Sequence, residues 1–349
     1  MTSKTKHLYV HIPFCKAICH YCDFVRFVSN SNCISRYTHR LINEINDRCK
    51  GCKFKTIYVG GGTPNSIDNH LLNTLLCTLS KYLAIDYEFT IECNPENITI
   101  DQAYILKTNN VNRVSIGMQT VNNTLLQKFG RQHTLKDVQE AISNLRKVGI
   151  NNISIDLIYG FNELMDNDIR DTIKFIRSAC IPHVAWYALE IKPGSFLNKN
   201  KYQLNDSHIE HQLKLIIKLM NDINYQRYEV SNWCIKSQFR SLHNQAYWLT
   251  HQWKAIGLGA CGFEKRTYYE IKGNLKKYHL RKTKYSTSDY YFQIMMMGLR
   301  LQEGLDLTHP IYKKAYIYYK DKLKHVHVEN NHLRVDNLNL LDNTLMELM

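Results

Sequence analysis

Three cysteines near the N-terminus have the residue type and spacing that most clearly predict chemistry. They are Cys15, Cys19 and Cys22, in the segment HIPFCKAICHYCDF. Three thiolates on one short loop can bind three irons of a cubane 4Fe-4S cluster and leave the fourth iron open for a further ligand. The alternatives are zinc bound by these cysteines with His11 or His20, a Cys-x-x-Cys redox pair that leaves Cys15 unexplained, and unliganded cysteines.

Polar and glycine residues follow several β-rich segments further along the chain. They are Gly61, Gly62 and Thr63 after the second segment, Glu92 and Gln119 at the ends of the third and fourth, and Asp156 within the fifth. Glycine lets a ligand approach the backbone closely because it has no Cβ atom. A carboxylate within an apolar strand is costly to bury without a partner, which favours a binding role for Glu92 and Asp156.

The elements that must position these residues alternate between strands and helices. Strands are predicted at 7–12, 55–60, 88–93, 113–118, 152–160 and 183–191, because each is rich in Val, Ile, Tyr or Phe. Helices are predicted near 34–48, 68–83, 101–108, 123–147 and 166–179. This order predicts an α/β fold with a parallel sheet, as a partial barrel or a doubly wound sheet. The polar residues would then meet at the carboxyl ends of the strands.

The pattern changes after residue 200. A helix is predicted at 206–222, a strand at 227–233 and a glycine-rich apolar segment at 254–263. From about 285, helices near 287–301 and 310–323, a hairpin turning at Asn330 and Asn331, and a final helix predict a winged-helix-like module. We therefore divide the chain into a core at 1–200, an extension at 201–284 and a small C-terminal α+β module at 285–349.

Composition and charge narrow the functional classes. With 349 residues, of which 44% are hydrophobic and 22% charged, the chain is neither disordered nor fibrous. No apolar run is long enough for a membrane helix and no secretory signal is visible, so we expect a cytoplasmic protein with few disulfides among its 11 cysteines. Cys49 and Cys52 are expected to be two exposed cysteines or an accessory redox pair. The net charge of +14 is typical either of scattered solvated lysines or of a protein that binds RNA, an anionic membrane surface or small anions.

The cysteine motif and its context resemble the radical S-adenosylmethionine (radical SAM) superfamily. Cys-x-x-x-Cys-x-x-Cys follows a first strand and precedes repeated β/α units, as in that superfamily. The resemblance implies a partial (β/α)6 barrel and a 4Fe-4S cluster whose open iron chelates S-adenosylmethionine. In the superfamily, an electron from the cluster cleaves this cofactor to methionine and a 5′-deoxyadenosyl radical.

A closer resemblance covers nearly the whole chain. The segments YVHIPFC, GGGTP, SIGMQT, RQHT, DLIYG and HNQAYW resemble the oxygen-independent coproporphyrinogen oxidase family. The oxidases have a fourth cysteine two residues after the third, where this chain has Phe24, and CDF instead is similar to the heme chaperone (HemW) branch. The residues that the resemblance places around S-adenosylmethionine are Tyr9, Gly61, Gly62, Thr63, Glu92, Gln119, Arg131, Asp156 and, by position only, Glu190. Within that set, Arg131 would bind the methionine carboxylate and Asp156 the ribose side.

The resemblance implies a heme chaperone, and His243, Tyr247 and Trp248 are its candidate heme contacts. An imidazole can ligate heme iron and aromatic rings can stack on a porphyrin; the alternative for His243 is a histidine hydrogen-bonded within a loop. The second hypothesis is a coproporphyrinogen III oxidase, and the phenylalanine at position 24 argues against it. The third hypothesis is an RNA-modifying radical enzyme, which only the net positive charge supports.

The partners that this reading implies are heme, a heme-accepting protein and, if the cluster is reduced, an electron donor. We expect no nucleic acid, a basic surface compatible with association at a membrane surface, and a monomer or homodimer. Whether the protein is an enzyme stays open at this point, because the radical SAM machinery is present but the fourth cysteine is not.

Overall fold

The computed structural model describes residues 5–348. The strands are β1 His7–Ile12, β2 Phe54–Gly61, β3 Leu83–Cys93, β4 Arg113–Gln119, β5 Asn152–Tyr159, β6 His183–Ala188, β7 Gln226–Glu229, β8 Asn232–Cys234, β9 Trp253–Ile256, β10 Cys261–Glu264, β11 Thr267–Gly273, β12 Tyr278–Lys284, β13 Leu305–Asp306, β14 Val326–Glu329 and β15 His332–Val335. The helices are α1 Ser31–Arg48, α2 Asn69–Ser80, α3 Ile100–Thr108, α4 Asn123–Lys128, α5 Leu135–Lys147, α6 Asp166–Ser178, α7 Phe196–Lys199, α8 Asp206–Asp222, α9 Leu242–Trp248, α10 Thr287–Gly298, α11 Pro310–Tyr319 and α12 Leu341–Met346.

The central feature is a large sheet with a parallel middle. Its strand order is β12-β11-β10-β9-β1-β2-β3-β4-β5-β6-β8-β7. Strands β1 to β6 are parallel neighbours in chain order, and β9 pairs parallel with the other side of β1. The predicted α/β fold with six parallel strands is confirmed, and it is a partial barrel extended by antiparallel strands at both edges.

Alternation along the strands separates the core from the barrel interior. In β1, Leu8, Val10 and Ile12 are fully buried in the main hydrophobic cluster, which also contains the apolar faces of the surrounding helices. The alternate residues His7 and Tyr9 therefore face the other side of the sheet, because successive side chains of a strand point to opposite faces. The interior of the barrel is thus lined by polar and aromatic residues, and it carries the site described below.

Several element boundaries differ from the sequence-based expectation. The predicted helix 123–147 is two helices, α4 and α5, because Gly130 has a positive φ of 79° and Thr134 caps α5. The predicted strand 227–233 is the β7–β8 hairpin. Strand β12 was not predicted, because its residues His279 to Lys284 are exposed and, apart from Leu280, polar, so they give no apolar alternation.

The C-terminal part has a hydrophobic cluster of its own. It includes Ile294, Met295, Leu305 and Leu333, and its strands form a three-stranded antiparallel sheet in the order β13-β15-β14. The predicted hairpin turn is confirmed, since Asn330 and Asn331 have positive φ angles of 49° and 62°. The proposed boundaries at 200 and 285 remain predictions. No helix within residues 5–348 combines the length and apolar character needed to span a bilayer.

Candidate functional site

A cavity of about 440 Å³ opens at the carboxyl ends of the parallel strands. The three predicted cluster ligands, Cys15, Cys19 and Cys22, all line it. The cavity is also lined by most of the residues predicted around the cofactor, namely Gly61, Gly62, Thr63, Glu92, Gln119, Arg131, Asp156 and Glu190. These residues therefore lie together at the carboxyl ends of the strands, and their contacts with S-adenosylmethionine remain predictions.

Backbone hydrogen bonds hold the cysteine loop against its neighbours. The Cys15 N–H donates to the Phe27 carbonyl at 3.1 Å, and the His20 N–H donates to the Phe129 carbonyl at 3.0 Å. The short helix α7 covers the loop, where the Leu197 N–H donates to the His20 carbonyl at 3.0 Å. Burial raises the pKa of the Cys22 thiol to about 11, so this thiol is protonated at neutral pH when the loop is empty.

The two histidines that could complete a zinc site are engaged elsewhere. His11 contacts the Tyr9 hydroxyl through Nδ1 at 3.0 Å and the Val25 carbonyl through Nε2 at 2.9 Å. His20 stacks on Phe196 with ring centroids 4.2 Å apart, and its Nδ1 lies 2.9 Å from the Lys128 carbonyl. Neither histidine lines the cavity, so the geometry favours a three-thiolate centre over zinc.

At Gly61 and Gly62, where β2 ends, the backbone packs too closely against its neighbours for a larger residue. Gly61 has a φ of 121°, and a Cβ atom there would lie 2.7 Å from the His11 ring. A Cβ atom on Gly62 would lie 2.7 Å from the Phe14 carbonyl oxygen and 2.9 Å from the Cys15 Sγ. The backbone of β2 can therefore run directly beside the cysteine loop only with glycine at these positions.

Two carboxylates face the cavity although protein surrounds them. Glu92 accepts hydrogen bonds from the Gly61 N–H at 2.9 Å and the Tyr58 hydroxyl at 2.8 Å. Desolvation outweighs these contacts and raises the pKa of Glu92 to about 7. Asp156 accepts from the Ser115 hydroxyl at 2.8 Å, and desolvation raises its pKa to about 6.

Within residues 5–348, neither Glu92 nor Asp156 forms an ion pair with a Lys or Arg side chain. A cationic group of a ligand, such as an amine, would therefore be their natural counter-charge.

Arg131 lies at the cysteine loop. Its guanidinium donates to the Cys19 Sγ at 3.5 Å, to the Asn94 Oδ1 at 3.2 Å and to the Gly117 carbonyl. Its buried Nε–H has no partner. Gln119 lies beside it, at an irregularity of β4 where its own φ is 68°. The fork that Arg131 was predicted to offer a carboxylate is thus partly engaged by protein, and its contact with a ligand stays a prediction.

Tyr9 does not line the cavity, unlike the other residues of the predicted cofactor set. Its ring stacks on Tyr58 with centroids 6.1 Å apart, and its hydroxyl contacts His11. Tyr9 faces the barrel interior, but it lies three residues before the end of β1 and is therefore deeper in the barrel than the cavity. Its effect on a ligand would act through Tyr58 and His11.

The segment HNQAYW lies at the opposite end of the barrel from the cavity mouth. It forms α9, whose first N–H groups, those of Leu242 and His243, donate to the buried Glu88 carboxylate at 2.9 and 3.0 Å. His243 is fully buried. Its Nδ1 contacts the Thr56 hydroxyl at 2.6 Å and its Nε2 contacts the Tyr247 hydroxyl at 2.7 Å.

Both ring nitrogens of His243 are therefore engaged, and its ring stacks on Tyr58 at 5.1 Å between centroids. Trp248 is half-buried and lies against the Arg300 guanidinium. The heme contacts of His243, Tyr247 and Trp248 remain a prediction. In this structure the three residues lie on a helix that closes the barrel floor. The alternative of a hydrogen-bonded histidine describes His243 in this structure.

Several cavity-lining residues were missed from the sequence, and three of them bear on the site. Tyr58 and Tyr187 line the cavity, and Arg26 follows the cysteines at its mouth. Position 58 lies on the interior face of β2, two residues before the glycines, which is a signal that alternation could have supplied. Nothing in the spacing pointed to Arg26. Cys49 was expected to be exposed, but it caps the C-terminus of α1 and is fully buried, and burial raises its thiol pKa to about 12.

Comparisons with known proteins identify relatives of this chain. The family model "Radical SAM superfamily" matches residues 9–176. The heme chaperone HemW of Lactococcus lactis subsp. lactis is 33% identical, over 87% of this chain and 84% of that protein. The heme chaperone HemW of Bacillus subtilis is 33% identical, over 78% of this chain and 75% of that protein. The solved structure of coproporphyrinogen III oxidase (HemN) from Escherichia coli has a TM-score of 0.84 at 20% identity, over 99% of this chain and 90% of that one.

The residues present fit the two cofactors of the superfamily, a 4Fe-4S cluster and S-adenosylmethionine. Three thiols share one cavity, Gly61 and Gly62 line it without a side chain, and carboxylates without an ion-pair partner face the same space. The buried Nε–H groups of Arg26 and Arg131 are unpartnered donors beside the same thiols, as an anionic group would require. The chain therefore belongs to the radical SAM superfamily and, within it, to the heme chaperone HemW family.

Proposed function

We propose that this protein is a heme chaperone, which binds heme and delivers it to a heme-accepting protein. The observation that carries this proposal is the similarity to relatives named heme chaperone HemW over most of both chains. The likeness to coproporphyrinogen III oxidase is at 20% identity and supports the shared fold alone.

Different cavity residues would bind different parts of the cofactors. Cys15, Cys19 and Cys22 would hold the cluster, and a reduced cluster would supply an electron to S-adenosylmethionine. Glu92 would pair with the amine of the methionine part, and Asp156 would accept hydrogen bonds from the ribose. An electron donor then becomes a further partner.

Phe24 separates this proposal from the oxidase alternative. The side chain is 62% exposed at the mouth of the cavity, two residues after Cys22. An apolar ring at this position can neither ligate a metal nor exchange a proton, so it cannot replace a thiol in a reaction. It can pack against a planar apolar ligand such as a porphyrin. The exposed ring therefore supports binding rather than decarboxylation.

The iron ligand of the heme is not assigned to His243 in this proposal. Its two ring nitrogens are engaged with Thr56 and Tyr247 inside the barrel floor. A heme could reach it only after α9 had left the barrel. The basic surface is compatible with a membrane-bound acceptor, and we propose a cytoplasmic monomer or homodimer that binds no nucleic acid.

A paired assay on one anaerobically reconstituted preparation tests the proposal. Heme titration followed by absorbance should show saturable binding, and porphyrin analysis with a reductant should show no conversion of coproporphyrinogen III. Phe24→Cys is the matched variant, since it restores the missing thiol without changing the rest of the loop. Decarboxylation by the parent chain at about 1 per second, or even a hundredth of that, would contradict the proposal. Absence of heme binding would contradict it equally.

A further inference from the structure

Arg26 closes the open end of the cysteine loop. It follows Cys22 by four residues, and its guanidinium donates back to the Phe24 carbonyl at 2.6 Å and to the Cys22 carbonyl. Two N–H groups of one planar fork thus bind two carbonyls of the same loop, a geometry that lysine cannot reproduce. The side chain lines the cavity together with the three cysteines.

The charge of Arg26 has no protein counter-ion. Within residues 5–348, no carboxylate lies within ion-pairing distance of its guanidinium, and its buried Nε–H has no hydrogen-bond partner. Arginine stays charged in proteins, and a partly buried charge without a counter-ion is costly. Among the cavity groups that can become anionic, the thiols of Cys15, Cys19 and Cys22 belong to the loop that Arg26 binds.

We propose that Arg26 is a positioning residue for the iron-sulfur cluster, whose fork holds the cysteine loop closed and whose charge raises the reduction potential of the cluster. Reduction adds negative charge at the cluster, and a nearby fixed positive charge stabilises the reduced form more than the oxidised form. Net charge and hydrogen bonding near the sulfurs are among the factors that set such potentials. This inference does not depend on heme binding.

The two parts of the inference are separated by two substitutions. Arg26→Gln removes the charge but keeps an amide donor for a loop carbonyl, whereas Arg26→Lys keeps the charge but loses the fork. Arg36→Gln is the matched control, because Arg36 is exposed on α1 and does not line the cavity. Cys15→Ala shows the signal of a protein that has lost a cluster ligand.

Each reconstituted protein is measured for iron content, for cluster loss to an iron chelator and for midpoint potential by a redox titration followed by electron paramagnetic resonance. Arg26→Gln should shift the midpoint potential to more negative values, and Arg36→Gln should not. Arg26→Lys should keep the potential of the parent but lose its cluster to the chelator several-fold faster.

Three results would overturn the inference. Equal potentials for the parent and Arg26→Gln would remove the role of the charge. Equal rates of cluster loss for the parent and Arg26→Lys would remove the role of the fork. If Arg26→Gln bound no iron, Arg26→Lys would decide: a cluster with the parental potential supports the role of the charge, and a cluster with a shifted potential refutes it.

Discussion

The raised pKa of Glu92 predicts that binding of S-adenosylmethionine depends on pH. The carboxyl group is enclosed by protein at the cavity wall, and its two donors, Gly61 N–H and Tyr58 hydroxyl, do not offset desolvation. With a pKa of about 7, Glu92 is mostly protonated in the empty protein at pH 6. The amine of the ligand pairs with the ionised carboxylate of Glu92. Below pH 7, binding must therefore first remove the proton from Glu92.

The sign and the size of the effect follow from this pKa. Affinity should rise as the pH rises and level off above about 7. About a tenth of Glu92 is ionised at pH 6 and about three quarters at pH 7.5, so affinity should increase about eightfold between them, or roughly 1.2 kcal/mol. Asp156, with a pKa of about 6, adds about a factor of two over the same range.

Calorimetric titration of the cluster-loaded protein with S-adenosylmethionine measures both the affinity and the protons released. Repeating it at several pH values, in buffers of different ionisation enthalpy, counts the protons directly. Glu92→Gln should bind at least tenfold more weakly at pH 7.5, because a charge-assisted contact worth about 1.5–3 kcal/mol is lost. The affinity of this variant should still rise about twofold from pH 6 to 7.5, because Asp156 still titrates. A parent affinity that is flat from pH 6 to 7.5 would refute the assigned role of Glu92.

Two further predictions concern the cysteine loop and the barrel floor. Arg131→Ala should weaken S-adenosylmethionine binding at least tenfold, from the loss of a buried charged donor, in calorimetry on protein whose iron content matches the parent; an unchanged affinity would place Arg131 outside the ligand contacts. His243→Ala should lower the free energy of unfolding by about 2–4 kcal/mol in urea titrations, because Thr56 and Tyr247 lose their partner and a cavity remains. Asn244→Ala in the same helix is its control, and equal stabilities of the two variants would show that His243 does not hold the floor.

Much of the site could be predicted because it depends on strand ends. Parallel strands that alternate with helices place their carboxyl ends at one edge. The sequence alone could therefore predict that the cysteine loop and Glu92 lie close together. Period-two alternation also predicts which side chains face the interior, and Tyr58 was accessible to that reasoning. The resemblance named Tyr9 but not its depth along the strand, and its contact with S-adenosylmethionine stays a prediction.

The residues that escaped prediction are those whose roles depend on contacts across long sequence distances. Strand β12 has no apolar alternation, since it lies exposed at the sheet edge and is held only by pairing with β11. Arg26 is one cation among 45 Lys and Arg residues, and only its contacts within the folded loop distinguish it. Burial of Cys49 likewise follows from its packing in the main hydrophobic cluster at the end of α1, which its hydrophilic neighbours Lys50 and Lys53 do not indicate.

The segment HNQAYW shows why residue type alone does not assign a ligand. Histidine, tyrosine and tryptophan can bind heme, but the same groups can satisfy one another in a closed core. Here Glu88 caps the start of α9, and Thr56 and Tyr247 engage the His243 ring. Tyr58 then connects this floor to the cavity, since its ring stacks on His243 and its hydroxyl donates to Glu92.

Substitutions in α9 can therefore alter cofactor binding through Tyr58 without any contact between heme and His243. A loss of heme binding in such a variant identifies an iron ligand only if the affinity for S-adenosylmethionine and the free energy of unfolding stay at the parental values. If all three fall together, the floor of the barrel has been disturbed, and the iron ligand has to be sought among residues that a heme can reach.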